Sequence, residues 1–155
     1  MVSTLVAYPA EARIGRQPDH AAPVRAGRVR VRGEGSVVLH FHGGNVGHNG
    51  WFFLEHLVRA GYQVLTPDRP GYLGTPIEHG GSPEQQADLA AALLDALGIQ
   101  RVPVVGISAG GPVAIQFAAR HADRVDALAA GGQGSIAGTI GTVGVSNVDL
   151  ASNRP

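Results

Sequence analysis

The chain has 155 residues, 44% of them hydrophobic and 15% charged, proportions that suit one globular domain with a sizeable core. Twelve Lys and Arg balance twelve Asp and Glu, which argues against a nucleic-acid or anionic-membrane partner, and no run reaches membrane-spanning length. The absence of cysteine excludes disulfides, thiol nucleophiles and thiolate metal sites. No basic start followed by an apolar run opens the chain, so no signal peptide is evident and a cytoplasmic location is expected.

Residues 1–27 read as an irregular N-terminal segment in which only Ser3–Tyr8 has the makings of a short strand. R-V-R-V-R (Arg28–Arg32) alternates strictly, as a half-exposed strand does, and S-V-V-L-H-F-H (Ser36–His42) follows after a G-E-G turn. That second strand runs into H-G-G-N-V-G-H-N-G-W, with glycines at 43, 44, 47 and 50, where backbone N–H groups can face a ligand with no side chain between. Trp51–Gly61 reads as a helix, pairing Phe53 with Leu57 and Leu54 with Val58 and stopping at Gly61. Tyr62–Asp68 is the next strand, leading into a loop rich in proline and glycine. Ser82, Pro83 and Gln85 form a capping-box start for a helix whose face is marked by Leu89, Leu93 and Leu97 and whose end is Gly98.

Val102, Val104, Val105 and Ile107 then form a short β-branched run, read as a strand buried on both faces. It breaks at G-I-S-A-G (Gly106–Gly110), and a helical pattern opens at once with Val113, Ala114, Phe117 and Ala118. Strand, tight turn with Ser108 at its tip, then helix is the context that makes G-x-S-x-G a nucleophile elbow. Its glycines are needed because side chains two residues either side of a strained serine would collide. Another apolar strand begins at Val125. The order β-β-β-α-β-α-β-α-β predicts an α/β fold: a mostly parallel, twisted sheet with helices on both faces. The strands at 36–42, 64–66 and 102–106 should be adjacent and central, with the functional loops at their carboxyl ends.

Taken together, H-G-G (His42–Gly44), D-R-P-G-Y (Asp68–Tyr72), G-I-S-A-G-G (Gly106–Gly111) and A-A-R-H-A-D-R-V (Ala118–Val125) resemble, in order, the N-terminal part of an α/β-hydrolase-fold enzyme, over roughly residues 28–130. The resemblance implies a serine hydrolase acting on an ester or related small acyl substrate. Ser108 would be the nucleophile, and the N–H groups of Gly44 and Ala109 the oxyanion hole. It implies no cofactor and no metal. A serine at this position also argues against the family's dehalogenases and epoxide hydrolases, whose nucleophile is a carboxylate. One departure is the leucine after Tyr72, where the family more often has glycine.

The larger departure concerns the catalytic base. In this fold the order is Ser, then Asp or Glu, then His, yet after Ser108 the only histidine is His121 and the only acids are Asp123, Asp126 and Asp149. His121 lies about 18 Å along the helix from Ala109 and is read as a surface residue. His40, His42 and His48 lie nearer, with His42 expected to be structural; His20, His56 and His79 are read as surface or loop residues. The Gly-rich tail, 131–155, has no helical period and matches no family segment, so the core is expected to be a partial α/β-hydrolase fold, cut short after the strand that follows the elbow helix. A truncation or frame change after Ala130 would account for the tail, as would a native low-complexity sequence. Two functions follow: a serine hydrolase inactive as this chain, or a non-catalytic fragment or binding module that keeps the pocket without the acid and histidine. An unpaired apolar edge at 125–130 would favour self-association.

Overall fold

The computed structural model describes residues 4–7 and 28–131 of the chain; the rest of the N-terminal segment, with His20, and the tail from residue 132 lie outside the described residues. Six strands form one sheet: β1 (Thr4–Ala7), β2 (Arg28–Arg32), β3 (Ser36–Phe41), β4 (Tyr62–Pro67), β5 (Val102–Ile107) and β6 (Val125–Gly131). Their spatial order is β1-β2-β4-β3-β5-β6. β1 and β2 join antiparallel, whereas β4, β3, β5 and β6 run parallel. The three strands expected to be central, β4, β3 and β5, are adjacent in that order.

Three helices cover the sheet: α1 (Glu55–Arg59), α2 (Pro83–Ala96) and α3 (Gly111–Arg120). Alternation along each buried strand splits the apolar residues between two layers. Leu39, Phe41, Leu65, Val102 and Val104 pack with Leu93 and Leu94 of α2 and Phe117 of α3. On the other face Val38, Val64, Val105 and Ile107 pack with Leu54, and Trp51, Phe53, Leu57 and Val58 close over them.

Local sequence explains most of the helix ends. Ser82 accepts the Gln85 N–H while the Gln85 side chain returns a bond to the Ser82 N–H, the capping box in full, with Pro83 in the first turn. Gly61 and Gly98 end α1 and α2 with φ of 87° and 69°, a backbone state open to glycine at no steric cost. Two expectations shift. The segment from Trp51 is a 3-10 turn spanning Gly47–Leu54 that becomes α-helical only at Glu55; Asp68 holds the backbone and ring of His48, anchoring that turn to β4. Leu97, read as part of the α2 core face, is the residue that ends the helix and is exposed.

From β3 the chain steps out to β4, then crosses back over β3 to β5. The carboxyl ends of β3 and β5 therefore flank the point where the winding reverses, the usual place for a ligand crevice in an open α/β sheet. Among the described residues no helix is long and apolar enough to cross a membrane.

Candidate active site

At the end of β5 the chain makes a single 3-10 turn, Ser108–Gly110, before α3. Ser108 has φ 51°, the left-handed region that disfavours a residue with a side chain. Such strain, of order 1–3 kcal/mol, persists only where the surroundings impose it. Here the imposition is steric. A Cβ on Gly106 would stand 2.6 Å from the Ala114 Cβ, and one on Gly110 would overlap the Phe41 carbonyl. Both glycines of G-x-S-x-G are thus required by backbone packing, and Ser108 and Ala109 are left exposed at the tip.

The H-G-G loop at the end of β3 lies against this turn, for a Cβ on Gly43 would stand 3.4 Å from both the Ile107 carbonyl oxygen and the Ser108 Cβ. At Gly44 the space is open, with only the Tyr72 hydroxyl 4.0 Å from such an atom. The proposed oxyanion residues therefore belong to two neighbouring loops, one after β3 and one after β5.

The dipeptide Asp68–Arg69, at the end of β4, grips the loop at both ends. The Arg69 backbone N–H donates to His42 Nε2 at 3.0 Å, so the proton of the neutral ring lies on Nδ1, which donates to the Gly43 carbonyl at 2.8 Å. At the other end Asp68 accepts from the His48 backbone N–H and, at 2.7 Å, from His48 Nδ1. Arg69 is 8% exposed, and its guanidinium reaches Gln86, Tyr72 and the Gly43 carbonyl at 3.3–3.5 Å and stacks over the Tyr72 ring. Tyr72 in turn sets its ring edge-on to His42, 4.7 Å between centroids.

Of the histidines around the loop, His42 and His48 have no ring nitrogen free to take a proton from Ser108. Both nitrogens of His42 are engaged, as are both of His48, whose Nε2 lies 3.4 Å from Arg30. His40 is fully buried, with Nδ1 on Thr66, 3.1 Å away, and its Nε2 without a partner, closed off from solvent. His121 is half-buried rather than on the surface: it closes α3 and pairs with Asp88 at 2.9 Å beside a two-pronged Arg120–Asp88 bridge. The length of α3 still separates it from Ser108. Among the described residues no three His, Cys, Asp or Glu side chains are grouped to hold a metal ion.

Burial lowers the pKa of His40 to about 3, with the neighbouring His42 adding to the effect, and burial lowers His42 to about 4 against the raising effect of its Gly43 hydrogen bond. Unfolded, both rings would protonate near 6.5. Below that pH the unfolded chain binds more protons than the folded one, so stability present above pH 6.5 is lost as pH falls towards 4. Each ring contributes a slope of up to about 1.4 kcal/mol per pH unit. Urea midpoints should hold level from pH 7.5 to about 6.5 and fall from there to pH 4.5; a flat profile throughout would contradict buried neutral rings.

The sequence suggests roles for Ser108, Gly44 and Ala109 but none for Asp68, Arg69 or Tyr72, whose partners lie 20 and 27 residues away for the first two. A usable signal is present: an acid and a base side by side at the carboxyl end of a buried strand. Leu73, just after Tyr72, takes φ 45°, a left-handed conformation that a residue with a side chain seldom adopts.

A family model described as alpha/beta hydrolase fold matches residues 36–138. The uncharacterized hydrolase YcgS of Bacillus subtilis (strain 168) is 41% identical over 98 residues, 63% of this chain and 34% of its own length. A 2-hydroxy-6-oxo-6-phenylhexa-2,4-dienoate hydrolase of Comamonas testosteroni is 35% identical over 112 residues, 67% of this chain and 38% of its own. Among solved structures, an alpha/beta hydrolase fold protein from Nakamurella multipartita shares 43% identity at a TM-score of 0.66, over 68% of this chain and 37% of that one. An epoxide hydrolase from an endophytic Streptomyces, at 22% identity and a TM-score of 0.67, covers 83% of this chain and 36% of that one and shares the fold. The chain thus spans between a third and two-fifths of the length of these relatives.

Proposed function

Given that the chain belongs to the α/β-hydrolase fold family, its core matched over residues 36–138, we propose that it carries the nucleophile half of a serine hydrolase site for an ester or related small acyl substrate. Ser108 Oγ attacks the substrate carbonyl carbon. The carbonyl oxygen, gaining the negative charge, is received by the N–H groups of Gly44 and Ala109, and the Ser108 proton passes to a histidine supplied, with its acid, from outside these 155 residues. The observation that carries this reading is the strained, exposed Ser108, φ 51°, set directly against the glycine loop. A hydroxyl there supports acyl transfer over the carboxylate chemistry the family's epoxide hydrolases use. A second reading rests on the Comamonas testosteroni relative: hydrolysis of a carbon–carbon bond in a 2-hydroxy-6-oxodienoate, to be distinguished by assaying such a substrate.

Without a base the Ser108 hydroxyl stays protonated and is a weak nucleophile. The chain and its Ser108→Ala variant are therefore expected to hydrolyse p-nitrophenyl acetate at nearly the same slow rate, since triad members act as a unit. A drop of about 100-fold or more would place a working base within this chain, against this account.

Self-association belongs to the same proposal. β6 pairs only with β5 among the described residues, and in V-D-A-L-A-A-G its one charge, Asp126, is held by Arg101 at 2.7 Å. An edge so poor in charge invites pairing with another copy. Sedimentation should show concentration-dependent association that Ala127→Lys suppresses; a monomer at all concentrations would refute it.

A further inference from the structure

The glycines that let the loop approach Ser108 create a difficulty. A peptide between two glycines has no Cβ on either side to hold it, and glycine is as much at home at positive as at negative φ. Left to itself, the Gly43–Gly44 peptide would turn over easily, and an N–H that points both ways is no preorganised donor.

No peptide bond among the described residues is cis. In a trans peptide the carbonyl and the N–H lie in one rigid plane and point in opposite directions, so fixing the Gly43 oxygen fixes the Gly44 N–H. That oxygen accepts from His42 Nδ1 at 2.8 Å. The proton is on Nδ1 because Nε2 receives the Arg69 backbone N–H at 3.0 Å. The ring itself has little freedom. Tyr72 packs edge-on against it, and a Cβ on Gly50 would stand only 3.1 Å from the His42 Cβ. Asp68, one residue before Arg69, holds the far end of the loop through His48, and the Arg69 guanidinium lies 3.5 Å from the same Gly43 oxygen.

We propose that His42 is a positioning residue: by donating from Nδ1 to the Gly43 carbonyl it locks the Gly43–Gly44 peptide so that the Gly44 N–H faces the Ser108 side, away from His42. This deepens the hydrolase reading and rests on it for its catalytic meaning, but the orientation itself is a matter of structure alone. It also gives His42 a task incompatible with proton transfer, since both ring nitrogens are committed.

The test uses the full chain, labelled with ¹⁵N. At pH 7 the ring spectrum should show His42 with the proton on Nδ1 and Nε2 bare. A nuclear Overhauser signal should join the Gly44 amide proton to the Ser108 β-protons. His42→Asn keeps a donor near the place of Nδ1 and should retain that signal. His42→Gln places an acceptor near Nε2, leaves the Gly43 oxygen without its donor, and should abolish the signal. A proton on Nε2 in the unvaried protein, absence of the Overhauser signal there, or its survival in the Gln variant would each overturn the proposal. If the Gln variant does not fold, the ring spectrum and the Overhauser signal in the unvaried protein still decide. Residual hydrolysis of p-nitrophenyl acetate separates the two claims. With a triad member lacking, the oxyanion hole and binding still give about 10³–10⁴-fold over water, and loss of one oxyanion donor costs about 10²–10³-fold, so the Gln variant should be at least about 100-fold slower than the Asn variant. Equal rates in two variants of which only Asn keeps the Overhauser signal would sink the catalytic reading and leave the positioning role standing.

Discussion

Gly110→Ala should abolish the native fold rather than trim its stability. The added methyl would overlap the Phe41 carbonyl oxygen and carbon and come within 2.8 Å of the His42 carbonyl oxygen. None of these can retreat. Phe41 ends β3, which is held between β4 and β5 by parallel ladders, and Phe41 is itself buried against Phe117. Relief would require the elbow to leave the sheet, carrying α3 and its core residues with it. Clashes with central backbone belong to the rare class costing more than about 4–5 kcal/mol, a large share of the roughly 5–15 kcal/mol by which domains are stable. Gly44→Ala is the matched control. It meets nothing closer than the Tyr72 hydroxyl at 4.0 Å and should shift stability by less than about 0.5 kcal/mol. Circular dichroism and urea titration of the two variants check this. Native-like signal from Gly110→Ala, with a midpoint near that of the unvaried protein, would show that the elbow is not held by this close approach.

What the sequence discloses follows the range of the interactions. The elbow is legible because everything that makes it is local: a β-branched strand, two glycines, a serine and an apolar helix within some fifteen residues. The capping box at Ser82 and the stops at Gly61 and Gly98 are legible for the same reason, as is the pairing of β4, β3 and β5, which follows from alternating strands and helices. The grip of Asp68–Arg69 on the loop at 42–48 is not. It depends on two parallel strands being neighbours in one register, which places the end of β4 beside the end of β3, and no spacing in the chain announces which side chains then meet. The 3-10 turn before α1 is no more legible, since the bonds that tie it down, from His48 to Asp68, are of that same long-range kind. His121 differs in degree: its helix-end position is as expected, but Asp88 on α2, 33 residues earlier, draws it inward.

Fusion to the downstream part of a relative gives the most direct test. Residues 1–131 of this chain, joined to the part of the Nakamurella multipartita structure that follows its matched segment, would carry the downstream region in which the fold's order places the acid and the histidine. If Ser108 is the nucleophile, the fusion should hydrolyse p-nitrophenyl acetate, and Ser108→Ala should then lower its rate by about 10⁴–10⁶-fold, as loss of a triad nucleophile does. A fusion whose activity is untouched by Ser108→Ala would contradict the assignment.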